Sequence, residues 1–217
     1  MDAHQPAGRL DEKSNLSSWI TGIGTYEFRD GGIFQAGLGL LYHDGYTSEV
    51  QLDEYFVSYE NSWLEAFAGM KQKKELFSGI SATNENVLWS LNSRPLPGIG
   101  ANLKPVTVFE RAGIGFKASW EEFFSDEQDR YIQNIRIHHK SFHLIFNGIE
   151  NFELIAGGHH YVQWGGKSPE YGELPAGFDD YLRVITGGSI AGGDGFVGEQ
   201  EINGLGNHLG GYEVQLN

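Results

Sequence analysis

Cysteine is absent from the 217 residues, which excludes a disulfide framework and any thiolate-ligated metal centre. Proline is scarce, at 6 residues, so little of the chain has the composition of an extended linker. Basic charge is short as well. Fifteen Lys and Arg stand against 29 Asp and Glu, a net charge of −14, and no basic stripe exists that could neutralise nucleic-acid phosphates. No apolar run approaches the ~18 residues a membrane-crossing helix needs. The opening stretch, MDAHQPAGRLDEKSN, also lacks the apolar core of a secretion signal. Taken alone, that start points to a cytoplasmic chain or to a mature or truncated one.

What is abundant is glycine, 31 residues, together with aromatics at 13%. That mixture suits short twisted strands joined by many turns. Two-residue alternation begins early. Ile20, Gly22, Gly24, Tyr26 and Phe28 share one face, and after a turn at 29–32 the face continues with Phe34, Ala36, Leu38, Leu40 and Tyr42. A second hairpin sets Tyr55, Val57 and Tyr59 opposite Leu64, Ala66, Ala68 and Met70. Ile114, Phe116, Ala118 and Trp120 form a further strand face, Phe142, Leu144 and Phe146 another, and a last strand runs over 210–216. About eight antiparallel strands are expected, with a short helix over 178–185 presenting Phe178, Tyr181, Leu182 and Ile185 on one side. Two segments, 75–111 and 167–208, are much longer than ordinary connections. They are expected to be structured loops folded over the concave, polar side of the sheet, and residues 1–14 to be a polar tail.

The apolar faces carry no charge, whereas the opposite faces are mixed and rich in glycine. In a sandwich the apolar face would be the core; in an outer-membrane barrel it would meet lipid and the mixed face would line a wet lumen. Strands of ~10 residues, aromatics near strand ends, and tight turns alternating with long loops favour the barrel. Five stretches move the balance further: NVLWSLNSRPLPGI, DRYIQNIRIHHKSFHL, GGHHYVQWGG, LPAGFDDYLRVITGG and EINGLGNHLGGYE. In that order, from about Ser48 to the end, they resemble the Wzi-type capsule-assembly outer-membrane proteins of Gram-negative bacteria. The resemblance implies an all-β chain forming about half of a transmembrane β-barrel as a single partial domain over 1–217. It implies a lectin-like, non-enzymatic protein of the cell outer membrane, monomeric when full length. Its partners would be capsular or exopolysaccharide and outer-membrane lipid. The alternative from another class is a soluble carbohydrate-active β-sandwich, either lectin or glycoside hydrolase.

Five of the eight histidines lie between His138 and His160. Pairing Phe146 with Phe152 would make His139 face His159, with His143 opposite Ile155, all on the mixed face. A metal needs three or four convergent ligands at about 2 Å, and the expectation here is histidines lining a polar face, with no metal and no cofactor. His159, Tyr161, Gln163 and Trp164 instead suit sugar rings and hydroxyls, because aromatic faces and planar amides match them. Trp89, Asn92 and Arg94 add a second aromatic and a rigid donor fork. Asp179, Arg183, Asn207 and His208, from the later motifs, complete the candidate polysaccharide-binding set. The carboxylates of 167–208 lack the spacing of a known Ca²⁺ loop, and no catalytic residue is assigned.

Overall fold

The computed structural model describes residues 16–44, 49–74, 95–125, 132–169, 172–188 and 207–217. Eleven strands and one α-helix follow one another. Strands β1 (Ser17–Glu27), β2 (Ile33–His43), β3 (Val50–Glu60), β4 (Leu64–Met70) and β5 (Gly98–Phe109) come first. Then come β6 (Ile114–Ser125), β7 (Ile135–Ile149), β8 (Phe152–Trp164), the two-residue strands β9 (Lys167–Ser168) and β10 (Gly172–Glu173), the helix α1 (Phe178–Ile185) and β11 (Asn207–Leu216). Nine strands are hydrogen-bonded in the order β1-β2-β3-β4-β5-β6-β7-β8-β11, while β9 and β10 form a separate two-stranded sheet.

The chain divides into two compact units, Met1–Lys104 and Pro105–Asn217, with β5 contributing its first half to one and its second half to the other. In the first unit the two expected hairpins form, with the expected residues on shared faces. Tyr26 pairs Phe34 and Leu40 pairs Ile20, while Val57 pairs Ala68 and Tyr59 pairs Ala66. Asn61 closes the second turn by accepting from the backbone N–H groups of Trp63 (3.0 Å) and Leu64 (2.8 Å) through its side-chain oxygen. Strand β5 was not legible, because Gly98, Gly100 and Pro105 interrupt its alternation. Pro105 follows Lys104, whose own backbone N–H donates to the Trp63 carbonyl at 2.9 Å, so the missing N–H of the proline takes nothing from the β4 side.

These ladders correct the barrel expectation. Closure would require the first and last strands to pair, since only a closed ladder satisfies every edge. Among the described residues β1 pairs only with β2 and β11 only with β8. The structure is therefore an unclosed antiparallel β-sheet of nine strands, a second sheet of two, and one short helix. The transmembrane barrel, read from alternation and strand length, and the Wzi-type identification and outer-membrane location, read from the five motifs, are not supported by this unclosed sheet. No helix among the described residues is long and apolar enough to cross a membrane. Alternation misled because any antiparallel sheet with unequal faces produces it, whereas closure depends on strand number and shear.

The polarity of the faces does follow the sequence. Leu38 and Leu144 are 54% and 56% exposed, while His139 and His143 are buried. In the second unit β7 and β8 pair without a break from Arg136 opposite Trp164 to Phe146 opposite Leu154. The turn is Glu150-Asn151 rather than Asn147-Gly148, with Asn151 in the left-handed region at φ 57°. The ladder is thus displaced by two residues from the expected one, and His139 pairs Tyr161 while His143 pairs Gly157. An even displacement changes partners but keeps each side chain on its own face.

Helix α1 packs on the opposite side from the one expected. Val184 joins Val162 and Trp164 in a buried cluster with Tyr181 against it, and Val162 and Trp164 alternate with the face of His159 and Tyr161. The helix covers the upper end of the apolar-facing side, where it buries carbon against carbon. Tyr181 and Val184, three residues apart, face the sheet, leaving Phe178 and Leu182 exposed. Gly165 and Gly166, at φ 63° and 95°, make the turn after β8 that starts this excursion. The cover of segment 75–94 lies outside the described residues.

Two measurements check this framework. A Cβ on Gly157 would lie 2.6 Å from His143 Cα and overlap the Phe142 carbonyl, so Gly157→Ala should lower stability by about 1–3 kcal/mol in urea unfolding. An unchanged midpoint would show that β7 and β8 can part there at no cost. In the first unit Lys104 Nζ lies 2.5 Å from Glu60. Its hydrogen bond, with Lys74 adding attraction, holds the Glu60 carboxyl below its ordinary 4.5 despite partial burial. The folded value is below the unfolded one, so the stabilisation is complete above about 4.5 and is lost as pH falls through the lowered folded value. Glu60→Gln should cost about 0.5–1 kcal/mol at pH 7 and much less in strong acid, read from urea midpoints at both pH values.

Candidate functional site

Four cross-strand rows on the polar face of the second unit bring the chemistry together. The first row is Glu121, His139 and Tyr161, and the second is Ser119, Ser141, His159 and Gly211. The third is Lys117, His143, Gly157 and Glu213, and the fourth is Gly115, Ile145, Ile155 and Gln215. Rows on one face are one pleat repeat apart, and neighbouring strands are about 4.8 Å apart. Gly157 has no side chain, so His143 from β7 and Glu213 from β11 can reach toward each other across it.

The side chains link into one chain. His139 Nδ1 donates to Glu121 Oε2 at 2.7 Å, and His139 Nε2 meets His159 Nδ1 at 3.1 Å. The His139 ring is stacked on Tyr161, centroids 4.0 Å apart, and lies near parallel to His159 at 5.3 Å. Glu213 Oε2 then lies 3.2 Å from His159 Nε2 and 3.3 Å from His143 Nε2. His143 is 2% exposed, and neither of its ring nitrogens has a hydrogen-bond partner. Burial, reinforced by Lys117 nearby, pushes the His143 pKa down, against the pull of Glu213. Buried Ile145 and Ile155 form the apolar row beside it. One ligand atom each from His143, His159 and Glu213 lies within 4.8 Å of the others, so these three are the residues of this face that could hold a metal ion.

A second cluster sits on the other face beneath α1. Glu122 Oε1 accepts hydrogen bonds from both His138 Nδ1 and the Tyr181 hydroxyl. Burial, then the Glu122 carboxylate, pushes the Tyr181 phenol well above its ordinary value. The Trp120 indole meets His138 edge-on at 4.5 Å and Tyr181 at 6.4 Å, and the Arg136 guanidinium lies over Trp164 at 5.0 Å. Lys140 Nζ donates to the carbonyl of Ile185, tying β7 to the end of the helix. Nearby on the same face His160 Nε2 and His208 Nδ1 are 2.9 Å apart. Burial, then Lys140, pushes His160 down to about 4 and lowers His208 for the same reasons.

The residues expected from sequence to contact polysaccharide are dispersed over these surroundings. His159 belongs to the carboxylate–histidine chain, Tyr161 is buried against His139, and Trp164 is buried under α1. Gln163 and Asn207 are exposed cross-strand partners, and His208 bonds His160. Asp179 and Arg183 are exposed on α1. Trp89, Asn92 and Arg94 lie outside the described residues. Sequence reasoning missed Glu121, Glu122 and Glu213. All three stand in alternating strands, and placing them opposite the histidines needs pairings to β6 and β11 that no local pattern supplies.

Comparison with protein-family models, curated proteins and solved structures finds no match to this chain. The Wzi-type resemblance read from the five motifs therefore has no support beyond the motifs themselves.

The Glu121–His139 bond is testable. Glu121→Ala removes the acceptor from a buried imidazole and should cost about 1–3 kcal/mol in urea unfolding. Glu121→Gln keeps a carbonyl acceptor and should recover most of that loss. Equal losses in the two variants would mean that packing, not the hydrogen bond, sets the cost.

Proposed function

We propose that this chain is a carbohydrate-binding β-protein of the lectin kind, acting by recognition rather than turnover. The observation that carries the reading is the Trp120 platform. Its indole is 42% exposed and is braced from the side by His138 and Tyr181. The Glu122 carboxylate, which bonds both of those residues, fixes the arrangement. A rigid, half-exposed indole offers a flat apolar surface to the C–H face of a sugar ring at little entropic cost. Exposed polar groups of α1, Asp179 and Arg183, supply hydrogen-bonding partners for hydroxyl and acidic groups.

Binding is favoured over hydrolysis because Glu122 is occupied. A glycosidase needs one carboxyl free to protonate the leaving oxygen and a second across the scissile bond. Glu122 instead accepts from two buried donors, which hold it as a fixed acceptor. A glycan with an exposed sugar-ring face is the partner class this reading proposes.

Titration with neutral and uronate-containing oligosaccharides, followed by tryptophan fluorescence and calorimetry, tests it. Trp120→Ala should weaken binding by about tenfold or more, the loss of one well-packed aromatic contact. Trp63→Ala, at an exposed tryptophan of the other unit, should leave binding unchanged. Binding that survives Trp120→Ala intact, or no binding to any glycan tested, would rule the reading out.

A further inference from the structure

The hydrogen-bond chain on the polar face has a direction, and following it leads to an electrostatic conflict. A carboxylate only accepts, so the proton between Glu121 and His139 sits on His139 Nδ1. In a neutral His139 the Nε2 atom is then a lone pair, and the bond to His159 must be donated by His159 Nδ1. That leaves the lone pair of His159 Nε2 directed at Glu213 Oε2, 3.2 Å away. His143 Nε2 lies 3.3 Å from the same oxygen but outside hydrogen-bonding geometry. The His159 lone pair and the Glu213 carboxylate thus converge on one point, with His143 Nε2 beside them. A cation at that point satisfies all three.

We propose that His143 Nε2, His159 Nε2 and Glu213 Oε2 are the protein ligands of a divalent zinc-class metal ion. Ligand atoms at 2.0–2.1 Å around a tetrahedral centre are about 3.3 Å apart; the two separations to Glu213 are 3.2 and 3.3 Å, and all three atoms lie within 4.8 Å of one another, so a small closing movement of the two imidazoles brings them to one ion. The donor set, two imidazoles and a carboxylate, is one that zinc accepts, and it leaves a fourth position for water. The surroundings have the features of a metal site's outer shell. His159 is oriented through its other nitrogen by His139, which is oriented in turn by Glu121. His143 is buried beside the Ile145–Ile155 row and has no other use for its ring nitrogens. Gly157 provides the gap through which ligands on β7 and β11 meet. This inference departs from the expectation that the histidines merely line a polar face, and it stands apart from glycan recognition on the opposite face.

The test uses the full chain, stripped with chelator and then titrated with zinc and, separately, with cobalt(II) and magnesium. The wild type should retain one equivalent of zinc through gel filtration and gain thermal stability with zinc but not with magnesium. With cobalt it should show the intense visible bands of a four-coordinate site. His143→Ala and Glu213→Gln should each lose stoichiometric zinc, whereas His139→Ala should weaken it by about 10–100-fold through the outer shell. The double variant His160→Ala/His208→Ala, which removes the other histidine pair, should bind zinc as the wild type does. Should a ligand variant fail to fold by circular dichroism, the wild-type stoichiometry and cobalt spectrum still decide. A wild type that retains no zinc, a six-coordinate cobalt spectrum, or zinc lost only with His160 and His208 would overturn the assignment.

Discussion

The second unit depends on the ladder between β7 and β8. Because side chains alternate strictly along a strand, an unbroken register commits every residue of both strands to one face or the other. Here the commitment puts His139, His143, His159 and Tyr161 on one side and His138, His160, Val162 and Trp164 on the other. A one-residue displacement of β7 would carry His139 and His143 onto the apolar side and Phe142 and Leu144 onto the polar one. Two adjacent histidine pairs, 138–139 and 159–160, therefore serve two separate clusters, each with its own carboxylate, Glu121 or Glu122.

Those carboxylates explain why a buried polar face is tolerable. An unpaired buried polar group costs about 1–3 kcal/mol, more when it is charged. Glu121 and Glu122 each occupy a histidine, Ser119 and Ser141 bond each other at 2.6 Å, and the stacked rings of His139 and Tyr161 fill the space between. Ser125 Oγ and Gln215 Oε1 stay buried without a hydrogen bond, and the meeting of charged and imidazole groups that remains is at His143, His159 and Glu213. The apolar side is opposite in character: Phe142 and Leu144 stand exposed, and among the described residues only its upper end is covered, by the short helix.

Local pattern was a good guide wherever the structure is local. Both N-terminal hairpins, the strand face from Ile114 to Trp120 and the bounds of α1 were legible, because turns and periods act within a few residues. Pattern failed where the deciding contact is distant or where residues with special backbone needs intrude. Strand β5 was hidden by Gly98, Gly100 and Pro105. The turn of the β7–β8 hairpin was placed at Asn147-Gly148, a strong turn dipeptide, yet Gly148 is spent in close approach to the Ala112 carbonyl and the chain turns three residues later. Closure could not be read at all, since it is a property of the two strands farthest apart in the sequence. The histidine half of the site was visible as a cluster of residues; the carboxylate half was not, because β6 and β11 are its source.

β11 stands apart from its neighbours in when it can join them. β7 and β8 are linked by a two-residue turn and can pair on the microsecond scale of a hairpin. Glu213 reaches the same face only after the long stretch between Trp164 and Asn207 has been brought round, a loop whose entropy must be lost before any contact rewards it. The row that ends in Glu213 thus costs more chain entropy to complete than the β7–β8 hairpin, which favours a late place for it in folding. Interactions formed that late scarcely change how fast a chain folds; they lengthen the time it stays folded. Whatever occupies the point between His143, His159 and Glu213 acts as a latch on the last strand, and the lifetime of the assembled sheet is where its presence would be felt.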